Sequence, residues 1–222
     1  MKTLVTISAI LLLIHFGNAQ TAENKISGEA KFLAAMQSNL KMLDTAKSAE
    51  TYIMLSNNFE RIGNAEKKYW EPYYYASFCY ALMAANTPDK TKIDFLATKA
   101  EEYLQKAEAI AQNNSEISAL HAMIINTKIL VDPISRFQTY SIESASYLKL
   151  SKEQNPGNPR PYLIEARTKL FTPEAMGGGA TAAKPIIEKA IALFNDFKQE
   201  NSISPNWGSG QAEKLYEKVK EK

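Results

Sequence analysis

Trp70–Ala84 reads WEPYYYASFCYALMA, a run with helical apolar spacing in which aromatic side chains fall on more than one helix face. A helix that is apolar on more than one side needs neighbours on more than one side. The opening of this run recurs. WEPYYYA (70–76), EISALHA (116–122) and RPYLIEA (160–166) end on Ala76, Ala122 and Ala166, 46 and 44 residues apart. Each is followed by a second helical segment carrying a small–large–small triplet at spacings of four and three: Ala100-Leu104-Ala107, Ser144-Leu148-Ser151 and Ala183-Ile187-Ala190. Small residues at i and i+7 admit a neighbouring helix closely while the bulky residue between them fills the gap. Strand signals are nearly absent.

The rest of the chain reads as helices over about 25–44, 48–63, 67–86, 90–111, 116–131, 134–154, 160–171, 180–199 and 209–220. Thr87-Pro88-Asp89 and Asn155–Pro159 (NPGNP) break helices because Pro lacks the N–H and clashes with the preceding turn. Asp132-Pro133 and Ser115-Glu116 are start signals. The pattern resembles the tetratricopeptide family. Trp70 with Tyr73 matches its first-helix signature, Ala100-x3-Leu104-x2-Ala107 its second, and Pro156 stands where that family ends a repeat. The period is longer than the family's, Tyr74 stands in place of its small Gly, and Ser77 in place of its Tyr. NPRPYL, TPEAMGGG, KPIIEKAIALF and PNWG resemble a group of exported bacterial tetratricopeptide-like proteins without an assigned activity. The resemblance implies an all-α solenoid of about eight or nine helices in antiparallel hairpins. It divides the chain into a capping hairpin (25–63), repeats (67–111, 116–154, 160–199) and a tail helix within 200–222.

Residues 1–19 read as a secretory signal. Lys2 is followed by the apolar run Leu4–Ile14 and by small residues at Gly17 and Ala19, so the exported chain starts at Gln20 and belongs to the periplasm or the outside of the cell. With 26 basic and 24 acidic residues and no block of like charge, nucleic acid and anionic membrane are not expected partners. Beyond the signal, His121 is the sole histidine and Cys79 the sole cysteine, so neither a metal site nor a disulfide is expected. Cys79 reads as a small buried hydrophobe. No nucleophile elbow or P-loop occurs, the lysine-flanked Glu101-Glu102 reads as a solvated helix face, and Gly177–Gly179 reads as a hairpin turn. No catalysis and no cofactor is expected.

Function is therefore expected to be binding. The first helices of the resembled fold line a groove, and the same offset in successive repeats gives Tyr75, His121 and Glu165, with Phe78 one turn beyond Tyr75. The leading expectation is a protein- or peptide-binding scaffold of the cell envelope using these residues. The alternative is a small-ligand-binding envelope protein using the aromatic cluster around Tyr75.

Overall fold

The computed structural model describes residues 28–220, and within them the chain is all-α: nine helices, no strand. The signal segment lies outside the described residues. The helices are α1 (28–43), α2 (Ala49–Glu66), α3 (Glu71–Asn86), α4 (Ile93–Ile110), α5 (Ser115–Ile129), α6 (Pro133–Gln154), α7 (Arg160–Phe171), α8 (Ala180–Asp196) and α9 (Ser209–Glu217). Short 3-10 turns precede α4 (Lys90–Lys92) and follow α7 (Glu174–Met176).

Helix starts follow local chemistry. Ser48 accepts from Thr51 N–H, Asn114 from the amides of Glu116 and Ile117, and Asp132 from those of Ile134 and Ser135 ahead of Pro133. From α2 onward, neighbouring helices pack on one another, and α3 also packs on α5, and α5 on α7. The alanines 76, 122 and 166 are fully buried, as are Ala100, Leu104, Ala107, Ala183, Ile187 and Ala190. Ser144 and Ser151 substitute for alanines and carry their own hydrogen bonds: Ser144 Oγ donates to Ala122 O, and Ser151 Oγ to Ser115 O at 2.8 Å. A buried hydroxyl without such a partner would oppose folding. Cys79 is fully buried, and burial pushes its thiol pKa up, so it is not a poised nucleophile.

Trp70 is only partly buried, edge-on to Tyr74 at 5.4 Å; Tyr74 is the fully enclosed ring. The glycine turn obeys its sterics. A Cβ on Gly178 would lie 2.2 Å from Thr172 O, while the amides of Gly177, Gly178 and Gly179 donate to Glu174, Pro173 and Lys169 carbonyls. The loop spends its donors on its own chain.

The segment 197–208 is the feature the repeat pattern does not contain. It leaves α8 and runs as a strap over α3, α5 and α7 before α9 begins. Ile203 enters the core beside α3, and Asn201 donates to Glu71. Trp207 stacks on Phe78 at 4.8 Å, donates from Nε1 to Tyr74 Oη at 3.0 Å, and touches all three apolar clusters of the molecule. Arg160 holds the strap. It is fully buried, donates to Pro205 O and to Glu116 Oε1, and lies against the rings of Phe197 and Trp207.

Burial raises the Glu116 carboxyl to about 7 despite the opposing pull of Arg160. The folded chain then keeps a proton that the unfolded chain releases near its ordinary value. Stability contributed by this group is present at low pH and lost as pH rises toward 7. Glu71, raised by burial as well, acts in the same sense. Between pH 5 and pH 7.5, urea unfolding is expected to show wild type losing stability relative to Glu116→Gln, in which this contribution is absent; the same change with pH in the two proteins contradicts this.

Candidate ligand-binding cleft

Among the described residues, the first helices do not present Tyr75 and Phe78 to an open groove. Tyr75 and Phe78 are buried, Tyr75 stacked on Phe59 at 5.4 Å and Phe78 covered by Trp207. They serve the core because α2 and the strap close over α3. His121 is half-buried on the α4–α6 side, stacked on Tyr147 at 4.8 Å with Nε2 3.6 Å from Glu108; burial holds its pKa below the ordinary value. Glu165, on α7, lines a cavity.

That cavity is a cleft of about 560 Å³ between α6 and α7. It arises from a mismatch in the helices. α6 has 22 residues, but only Ser144, Leu148 and Ser151 are buried, all in its second half. α7 has 12 residues and stops before Pro173. The first half of α6 therefore stands away from its neighbour, and α6 packs far less on α7 than on α5. Phe137, Ala145 and Leu148 form the α6 wall and Met176 closes the other side, with Ser141, Thr168 and Thr172 between them. Ile134, 98% exposed, continues the Phe137–Ser141 stripe one turn earlier, and Phe171 and Met176 are also exposed.

The polar groups are few and placed. At the α5 side Asn126 Nδ2 donates to Thr168 Oγ1 at 3.0 Å, Thr168 in turn donates to Ile164 O, and Asn126 Oδ1 is buried with no partner among the described residues. Lys149 pairs with Glu153 at 3.8 Å, and Lys152 with Glu165 across the cleft. Lys169 bonds only the Gly177 carbonyl at 3.2 Å and makes no ion pair among the described residues. The cleft thus combines apolar walls with three lysines and two carboxylates, Glu153 and Glu165, a small excess of positive charge. Sequence reasoning missed the cleft because its walls come from residues that read as ordinary solvated faces; the available signal was the apolar residues Ile134, Phe137 and Ile142 in α6, of which Ile134 and Ile142 are exposed and Phe137 lines the cleft.

No known family profile matches the chain, and no curated protein does. Among solved structures, the HusA haemophore from Porphyromonas gingivalis superimposes with a TM-score of 0.78 at 33% identity, over 86% of this chain and 93% of the haemophore. The chain belongs to the HusA family. In this HusA-family chain, among the described residues, no imidazole or thiol lines the α6–α7 cleft, and Met176 is the one lining side chain with a soft donor atom.

Proposed function

We propose that this protein is an exported, non-catalytic binder of a tetrapyrrole such as haem, held in the α6–α7 cleft. The kinship with a haemophore carries the reading, and the cleft supplies a place for it. Phe137, Ala145, Leu148 and Met176 would pack on the faces of the ring, and the lysines at 149, 152 and 169 would meet its carboxylates. Recognition would rest on ring faces and acid groups, with Met176 the one candidate to reach a central iron. The hairpins are proposed to form a tetratricopeptide-like solenoid whose groove is filled by the strap 197–208. That occupancy speaks against any ligand at Tyr75 and Phe78, peptide or small molecule, and the kinship with a haemophore is what favours the small-ligand alternative, moved to the α6–α7 cleft.

Titrating the mature protein with iron protoporphyrin IX tests this. A saturable shift of the Soret band at one ligand per chain is expected, and no shift at micromolar protein would sink the proposal. Export is proposed on the same kinship and on the pattern of residues 1–19. No helix among the described residues is long and apolar enough to cross a membrane. Intact mass of exported material is expected to start at Gln20; a mass that includes Met1 refutes cleavage.

A further inference from the structure

Accepting the cleft as the ligand site, its one cross-cleft ion pair acquires a role. Lys152 on α6 and Glu165 on α7 both line the cavity and pair across it, where the two helices otherwise touch little. Their side chains are 25% and 32% exposed, so solutes reach both. While paired with Glu165, Lys152 Nζ also lies 4.6 Å from the centre of the Tyr162 ring. The other cleft cations differ. Lys149 is paired along its own helix and is 79% exposed, and Lys169 has only a carbonyl.

We infer that Lys152–Glu165 is an exchangeable clasp, in which a carboxylate of the ligand displaces Glu165 from Lys152 as α6 and α7 part around the ring. The exchange replaces one carboxylate by another at the same ammonium group, so no charge is buried alone. Glu165 competes with the ligand for Lys152 and, once displaced, repels the incoming acid. Removing its charge should therefore strengthen binding, and the gain should be confined to ligands that carry a carboxylate. The clasp selects an acidic ring over a neutral one of the same shape.

Deuteroporphyrin IX and its dimethyl ester, titrated by fluorescence quenching, separate these effects. Wild type is expected to prefer the diacid. Glu165→Gln should tighten the diacid by about fivefold, the range an exposed ion pair can supply, and leave the diester unchanged. Lys152→Met should weaken the preference more than Lys149→Met does. Both pair members are partly exposed, so all three variants should fold, which circular dichroism verifies. Unchanged or weaker diacid binding in Glu165→Gln, with both ligands still bound, overturns the clasp and leaves the tetrapyrrole reading standing. Failure of wild type to bind either compound removes the reading itself, and the clasp with it.

Discussion

Arg160→Ala should destabilise the protein by about 3–5 kcal/mol, as breaking a buried ion pair does. The substitution leaves the Glu116 carboxylate buried, with its second oxygen already lacking a partner, and removes the donor to Pro205 O. It also empties the space between Phe197 and Trp207 that the guanidinium fills. Since protonating Glu116 relieves the unpaired charge, the loss should be larger at pH 8 than at pH 5. Arg160→Lys should recover little, because one ammonium group does not reproduce the planar fork that reaches a carboxylate and a carbonyl together. Adding Glu116→Gln to Arg160→Ala should restore part of the loss. Urea titrations at the two pH values check all of this; a loss under about 1 kcal/mol would mean that the strap is held by its apolar residues alone.

Ala145→Trp should abolish tetrapyrrole binding, by about a hundredfold or more, while leaving the melting temperature near that of wild type. Ala145 lines the cleft and is exposed, so an indole there projects into the cavity and not into the α5–α6 interface. Filling the space that ring faces would occupy removes most of the contact area on which such a ligand depends. The matching substitution Tyr75→Phe alters the aromatic cluster first suspected. It removes a hydroxyl that is buried without a partner and should leave binding unchanged. If Tyr75→Phe weakens binding and Ala145→Trp does not, the ligand lies elsewhere than in the α6–α7 cleft.

Much of the fold was legible because helix signals are local. Asn114, Asp132 and the prolines at 88, 133, 156 and 159 mark starts and stops through bonds made or refused within a turn. The recurring alanines mark the buried seams because a small residue there meets a neighbouring backbone. The site was hidden for the opposite reason. Tyr75 and Phe78 share the composition of a ligand site, and nothing local distinguishes an aromatic that faces a groove from one that is covered. What covers Phe78 is Trp207, which lies 129 residues further along the chain.

The sequence by itself determined an all-helical chain, the order and approximate limits of its helices, and the residues at which they approach closely, because capping, proline geometry and apolar period act within a few residues. The tertiary structure alone decided which surface stays open. The strap closes the side of α3, α5 and α7 through Arg160 and Trp207, and the short α7 leaves the first half of the longer α6 uncovered on its α7 side. Both outcomes depend on contacts between residues distant in the chain, whose formation is governed by which surfaces meet and not by any local preference.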